Sequence, residues 1–145
     1  MSSDTFETYP YETRYWYPHL SPAEAALWHR YVLKNPDAYE RVAYDVKVGT
    51  IPDFILAQDD TAIRAQAPLY QYKIDVVGFK GDKVDIIELK QGATMRAIGQ
   101  VKSYRNLYTR DIDARAQGAD IIITDILMPD MEHLAEQMGV KIVAI

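Results

Sequence analysis

The chain has 145 residues, 48% of them hydrophobic, and this size is typical of one globular domain with a single core. It lacks cysteine, which excludes disulfides and thiolate zinc sites. Its net charge of −5 argues against nucleic-acid binding over the whole surface, but a local basic cleft stays open. No apolar run reaches the roughly 18 residues of a membrane span, and the first residues lack a signal-peptide pattern. We therefore expect a soluble, cytoplasmic protein with no membrane partner.

Residues 1–20 are predicted to form an arm that is rich in aromatic and turn residues. Proline restricts the residue before it to extended backbone, so Pro10 and Pro18 favour an arm over a helix. Three uses are open for its aromatic rings: packing on the domain, contact with another subunit, or stacking on nucleic-acid bases. Packing is the favoured interpretation. Residues 21–145 are predicted to form the domain itself.

The segment Ser21-Pro22-Ala23-Glu24 predicts a helix start, because it supplies an N-cap serine, a proline in the first turn and a glutamate at the third helical position. The helix is expected to continue through Lys34. Alternation over Tyr39–Val48 predicts a strand. Ile51–Pro68 has little periodicity and is predicted to be a long excursion with at most one helical turn. Loops of that length tend to be functional or mobile.

Two strands, Tyr72–Phe79 and Val84–Lys90, are predicted on either side of a turn. A loop of two or four residues places Asp75 directly opposite Glu88, with Lys90 on the same face; a three-residue loop would separate the acids. The rest of that face is expected to hold Val77, Phe79, Val84 and Ile86, and the other face Ile74, Val76, Ile87 and Leu89.

A strand pair that is apolar on both faces is predicted to lie centrally in its sheet, so Asp75, Glu88 and Lys90 should meet at one end of a buried element. Like charges opposite each other are destabilising, and buried charges are costly unless they are paired or bound to a metal. Two interpretations are therefore open: a three-residue ion cluster, or a metal site.

The next predicted helix covers Thr94–Thr109, with a buried stripe formed by Ala97, Val101, Tyr104 and Tyr108. Gln100 lies one turn before Tyr104, so both can face one neighbour. Alternatively, Tyr104 belongs to the core and Gln100 to the surface. The chain is predicted to end with a strand, a short helix and a strand at Ala119–Leu127, Asp130–Met138 and Val140–Ile145.

The predicted order is helix, strand, two hairpin strands, helix and strand, followed by a further helix and strand. It predicts an α/β protein, a three-layer α/β/α sandwich with a central mixed sheet. Asp75, followed by Glu88-Leu89-Lys90 on the next strand and by a helix with Gln100 and Tyr104, resembles the PD-(D/E)XK nuclease superfamily. The Gln-x-x-x-Tyr pair resembles its RecB and lambda-exonuclease branch. Ile74 stands where the signature has proline.

The resemblance implies a restriction-endonuclease-like core and a DNA nuclease, endo- or exonucleolytic, that depends on Mg²⁺ or Mn²⁺. It implies that Asp75 and Glu88 bind the metal together with the backbone carbonyl of Leu89. Lys90, Gln100 and Tyr104 are then the other catalytic residues. An acid from the first helix often joins this site, which makes Glu24 a candidate ligand, although the helix cap already explains Glu24. RNA is not excluded as a substrate.

Basic residues cluster on or just beyond the Thr94–Thr109 helix, and we predict that DNA is contacted there by Arg96, Lys102, Ser103 and Arg105. The chain has no recognition helix or zinc finger, so cleavage should be guided by DNA structure, ends or a partner. Small members of the superfamily often come from phages or mobile elements, which implies the host cytoplasm, and work in homo-oligomers or larger nucleoprotein assemblies.

Two alternatives to a nuclease are open. The first is a catalytically inactive nucleic-acid-binding or structural subunit on the same fold, which the acidic net charge and the aromatic arm favour. The second arises because Asp125 and the residues after it resemble the phosphoacceptor strand of response-regulator receivers. A receiver needs roughly another half-domain beyond that strand, including a late lysine, and only Asp130–Ile145 remain.

Overall fold

The computed structural model describes residues 6–145. The helices are α1 (Pro22–Lys34), α2 (Asp53–Leu56), α3 (Thr61–Arg64), α4 (Met95–Asp111) and α5 (Met131–Gln137), with a 3₁₀ turn at Ala67–Tyr70. The strands are β1 (Tyr9–Pro10), β2 (Arg41–Val48), β3 (Tyr72–Lys80), β4 (Lys83–Lys90), β5 (Asp120–Thr124) and β6 (Val140–Ala144). No helix within these residues is long and apolar enough to cross a bilayer.

The six strands form one mixed sheet in the order β1-β2-β3-β4-β5-β6. β1 to β4 pair antiparallel, whereas β5 runs parallel to β4 and β6 runs parallel to β5. Two separate cores cover the faces. The α1-side core contains Leu27 and Trp28 of α1, and the α4-side core contains Val101 of α4 and Ala135 of α5. The predicted α/β/α sandwich and its element order are confirmed.

The hairpin that carries the acids has the shorter of the two favourable loops. Lys80 pairs with Lys83 and Val76 with Ile87, which leaves Gly81 and Asp82 as a two-residue turn. Gly81 has a φ of 56°, a conformation that glycine adopts without steric cost. The paired positions end at Val76–Ile87, and beyond them Asp75 and the Glu88-Leu89 segment are joined by side-chain contacts to backbone N–H groups.

One detail of the predicted face assignment is wrong. Ile74 lies in the α4-side core with Val77, not on the opposite face with Val76. The change of face arises in β2, where Asp45 has a φ of 55°. Ala43 and Val46 fall in the same core although residues three apart in a regular strand point to opposite faces. The β2–β3 pairing passes from Tyr44–Val76 to Val46–Ile74 and skips Asp45 and Asp75, so simple alternation is interrupted in both strands at this level.

The described part of the N-terminal arm, residues 6–20, packs on the domain, as favoured. Phe6 stacks on Phe79 with ring centroids 6.2 Å apart, and Tyr11 meets the edge of Trp28 at 5.9 Å. Tyr17 is buried, whereas Tyr15 and Trp16 are exposed. The arm thus covers the β2 edge of the sheet, an edge that would otherwise be open to other strands. Residues 1–5 of the predicted arm lie outside the described residues.

The predicted boundaries differ from the structure mainly where periodicity is weak. The excursion Ile51–Pro68 contains two short helices, α2 and α3, instead of one turn. Its helices have four residues each, too few for an apolar period to be recognised. The predicted strand Ala119–Leu127 ends at Thr124, and the exposed side chains that follow, such as Ile126 and Leu127, belong to the loop before α5.

Candidate active site

Asp75 and Glu88 lie together at one end of the β3–β4 pair. Glu88 is almost fully buried, with 3% of its surface exposed, and Asp75 is partly buried. The Leu89 backbone N–H donates to Asp75 Oδ2 at 2.9 Å, and the Asp75 N–H makes a long contact of 3.4 Å with Glu88 Oε1. Each carboxylate therefore accepts a backbone hydrogen bond from the other strand, which fixes the two acids relative to each other.

Burial dominates the electrostatics of this acid pair. It raises the pKa of Asp75, and the negative charge of Glu24 raises it further. Burial also raises the pKa of Glu88, and the negative charge of Asp75 raises that pKa further. Lys90 lowers the pKa of both groups but does not offset burial. The fully ionised pair is consequently costly in the protein alone, and a bound cation would stabilise it.

Lys90 ends β4 beside the acids. The ion pairs found among residues 6–145 do not include Lys90, so the predicted three-residue ion cluster is absent from the described structure. The influence of Lys90 on the pKa values of Asp75 and Glu88 nevertheless places its charge within electrostatic reach. The charge of Lys90 therefore acts on the acids without an ion pair in the described residues.

Helix α4 begins directly after the β4 end and covers the acid pair. Two backbone amides hold the preceding loop to β5: Gly92 N–H donates to Asp125 Oδ1 at 2.8 Å, and Ala93 N–H to Thr124 Oγ1 at 3.1 Å. Tyr104 is partly buried against the α4-side core, and burial, with the charges of Glu88 and Asp75 next, raises its pKa to about 12. Tyr104 thus lies in the electrostatic field of the acids.

Gln100 lies one turn before Tyr104 on the same side of α4. Its Oε1 atom is buried and has no hydrogen-bond partner in the described residues. A buried unpaired carbonyl oxygen is destabilising by about 1–3 kcal/mol, so such atoms usually have a partner or a function. Gln100 and Tyr104 line an open cavity of about 780 Å³ together with Tyr72, Arg96, Ser103 and Leu107.

The four predicted DNA contacts fall on two different sides of α4. Arg96 and Ser103 are exposed at the cavity next to Gln100. Lys102 and Arg105 are directed to Asp120, with Nζ–Oδ2 and Nε–Oδ1 distances of 3.1 Å and 2.7 Å. Asp120 begins β5, at the opposite end of the β4–β5 pair from Lys90.

Arg105 is therefore held by internal contacts, and its contact with DNA stays a prediction. Only 14% of its side chain is exposed, and its Nη2 also donates to the Val84 and Ala119 carbonyls. The helical spacing contained this signal, since Arg105 lies four residues after Val101 and three before Tyr108, both of which are buried. Lys102 is 42% exposed but is likewise paired with Asp120, away from the acids.

Glu24 forms the helix cap that its sequence predicts. Its Oε1 accepts from the Ser21 N–H at 2.9 Å, and its own N–H donates to Ser21 Oγ at 3.2 Å. Within residues 6–145, no three histidine, cysteine, aspartate or glutamate side chains are grouped so that they could hold a metal ion. The structure thus favours the cap for Glu24, and Asp75 and Glu88 remain as the side-chain ligands of the predicted site.

Sequence analysis missed Tyr72, the first residue of β3. Its ring is 58% exposed, lines the cavity and lies 6.1 Å from the ring of Tyr104, centroid to centroid. The available signal for a role of Tyr72 was its position. It starts a predicted strand and precedes the candidate acid Asp75 by three residues.

The structure excludes the receiver alternative. Receivers have a doubly wound parallel sheet, in which the chain order of the strands is permuted. Here the first four strands are antiparallel and all six follow chain order. Asp125 is used to hold the loop at Gly92.

No family model matches the sequence, and no curated protein matches it. Among solved structures, the chain is similar to a repair endonuclease from Pyrococcus abyssi, with 20% identity, a TM-score of 0.48, and coverage of 87% of this chain and 47% of that one. It is also similar to EndoMS in a complex with dsDNA, with 19% identity, a TM-score of 0.47, and coverage of 91% and 48%. The chain spans about half the length of these two proteins, and at such scores the likeness assigns no function.

Proposed function

We propose that this protein is a metal-dependent nuclease that hydrolyses phosphodiester bonds in DNA, with RNA as a further possible substrate class. One observation carries the proposal: the buried Glu88 and the partly buried Asp75 lie together on neighbouring strands, within the electrostatic influence of Lys90, without an ion pair to neutralise them. Such an arrangement is unfavourable as a purely structural feature, because unpaired buried carboxylates destabilise the fold.

The side chains present fit a magnesium ion better than a closed metal cage. Mg²⁺ is usually held by one or two carboxylates together with water and substrate phosphates, and Asp75 and Glu88 supply two. By the family resemblance, the Leu89 carbonyl is the third protein ligand. A bound Mg²⁺ or Mn²⁺ supplies Lewis acidity at the phosphate and makes water a stronger nucleophile at neutral pH.

The neighbouring residues have separate proposed roles. Lys90 orients the attacking water and stabilises negative charge that develops on the phosphate. The unpaired Oε1 of Gln100 accepts a hydrogen bond from that water, and Tyr104 supports Gln100 from the next turn. Arg96 and Ser103, exposed at the same cavity, hold backbone phosphates. Phosphate contacts carry no sequence information, so DNA structure, an end or a partner should direct cleavage.

A second candidate function is a nucleic-acid-binding or structural subunit on this fold that lacks catalysis. The net charge of −5 and the internal pairs of Lys102 and Arg105 favour the structural form of this candidate, because both leave few cations for a nucleic-acid backbone.

Plasmid nicking with Mg²⁺ or Mn²⁺ separates the two candidates. The nuclease hypothesis expects metal-dependent nicking that Glu88→Gln and Lys90→Met each reduce by about 100-fold or more, the usual cost of removing a charge-stabilising group. Glu136→Gln and Lys141→Met, at exposed positions of α5 and β6, are the matched controls and should nick normally. Equal nicking by Glu88→Gln and its control would contradict the nuclease hypothesis, and DNA binding without nicking would favour the inactive subunit.

A further inference from the structure

Six large apolar side chains are exposed between the end of β2 and the first residue of β3: Phe54, Leu56, Ile63, Leu69, Tyr70 and Tyr72. We call four of them the aromatic rim: Phe54, Leu69, Tyr70 and Tyr72, with 60%, 71%, 44% and 58% of their surfaces exposed. Single exposed apolar residues are common, but several in one short segment mark a binding surface. The rim therefore requires a ligand or a partner.

The rings of the rim are held in place although they are exposed. Phe54 and Tyr70 meet edge to face with centroids 5.9 Å apart. Tyr72 lies between Tyr104 and Gly49, where a Cβ on the glycine would come within 3.0 Å of Tyr72 Cδ2. Preorganised rings lose little conformational entropy on binding, which favours a ligand that presents flat apolar faces.

The rim reaches the cavity through Tyr72, and two of the proposed catalytic side chains, Gln100 and Tyr104, line that cavity. Tyr72 lines this cavity with Arg96 and Gln100, and it precedes Asp75 by three residues on the same strand. A strand of nucleic acid whose phosphate lies at the acids would thus place its neighbouring bases over Tyr72 and Tyr70. Arg96 supplies the cation that a phosphate backbone needs at that point.

We propose that the aromatic rim stacks on unpaired bases, so that the site accepts single-stranded or locally unpaired DNA in preference to continuous duplex. This proposal rests on the proposed nuclease function. Aromatic side chains bind bases through their flat faces without reading sequence. In a duplex those faces are covered by the neighbouring base pairs, and only an unpaired or frayed strand exposes them.

A nucleic-acid strand fits the rim better than a second copy of the chain does. The rim contains the aromatic rings of Phe54, Tyr70 and Tyr72, and the adjoining cavity offers a guanidinium at Arg96 and the unpaired carbonyl oxygen of Gln100. The Arg96 guanidinium can pair with a phosphate, and the Gln100 oxygen can accept a hydrogen bond from a water or from an amino group of a nucleotide. An interface between identical subunits would leave the Gln100 oxygen without an evident partner.

Fluorescence anisotropy in EDTA tests the proposal separately from cleavage. The probes are a labelled oligothymidylate and a labelled duplex of equal length. Tyr70→Leu and Tyr72→Leu should each weaken single-strand binding by about 5- to 150-fold, the range for losing one stacked base, and should change duplex binding by less than about twofold. Tyr70→Phe and Tyr72→Phe should bind normally because they keep the ring. Tyr15→Leu, at an exposed tyrosine of the arm, is the matched control.

Each contrary result has a defined meaning. No single-strand binding by the wild type, equal loss on both probes, or a loss that Tyr15→Leu shares would overturn the stacking proposal. A wild-type dimer in sedimentation that Tyr70→Leu dissociates would assign the rim to a subunit contact instead. Tyr70 is the decisive variant if Tyr72→Leu unfolds. Metal-dependent nicking that persists through these failures leaves the nuclease proposal standing, whereas strand binding without nicking by the wild type removes the nuclease proposal alone.

Discussion

Replacing Glu88 by glutamine should stabilise the metal-free protein at alkaline pH. Glutamine keeps the size of the side chain and the oxygen that receives the Asp75 N–H, but it removes a buried negative charge. An uncompensated buried charge destabilises by about 3–5 kcal/mol. We expect about 3 kcal/mol, because Lys90 offsets part of the repulsion. For a chain of this length, that free energy raises Tm by about 6–12 °C.

The pH dependence gives the sign of the effect. Burial raises the pKa of Glu88, so the folded protein retains a proton that the unfolded chain releases near its ordinary pKa. Between that ordinary pKa and the higher folded pKa, the unfolded state binds fewer protons, and the free energy of unfolding falls as pH rises. The gain in unfolding free energy from Glu88→Gln should therefore vanish below about pH 4, which is the ordinary pKa of a glutamate. The gain should grow toward alkaline pH.

Thermal unfolding in EDTA at several pH values measures this effect. Glu136→Gln, at an exposed position of α5, is the matched control and should follow the wild type at every pH. Parallel Tm curves for the wild type and Glu88→Gln would refute the argument, because they would mean that Glu88 is not held against its charged form.

Two further predictions concern stability away from the acids. Asp120→Asn should lower the free energy of unfolding by about 3–5 kcal/mol, because it leaves the Arg105 guanidinium without its carboxylate. Urea titration measures this loss. An effect below about 1 kcal/mol would mean that water already solvates the pair. Gly78→Ala should cost about 1–3 kcal/mol, because the new Cβ would lie 2.5 Å from the Tyr39 ring. Gly99→Ala, on a helix with open space around it, should instead stabilise by up to about 1 kcal/mol, and equal effects would contradict the packing argument.

The sequence was sufficient for the features set by period and turn chemistry. Alternation on both sides of Gly81-Asp82 established the hairpin and its register as far as Val76–Ile87, the pair next to the two acids. The sequence predicted the Ser21 cap because capping is a local interaction that depends on a few adjacent residues.

The sequence did not predict features that depend on contacts between residues far apart in the chain. Asp45 adopts a positive φ within a strand, and aspartate alone gives no signal for this. A cluster of basic residues along α4 does not reveal that Arg105 finds a carboxylate on β5. The exposure of Tyr72 and Tyr70 depends on how the excursion packs, which a segment without periodicity cannot predict.

Titration calorimetry with MnCl₂ tests the central claim that Asp75 and Glu88 together bind a divalent cation. The account predicts one binding event in the wild type, with protons released to the buffer because the raised pKa values keep the pair partly protonated. Asp75→Asn and Glu88→Gln should each abolish it, whereas Glu136→Gln should retain it. Binding heats and proton release that are unchanged in Glu88→Gln would place the cation elsewhere and contradict the account.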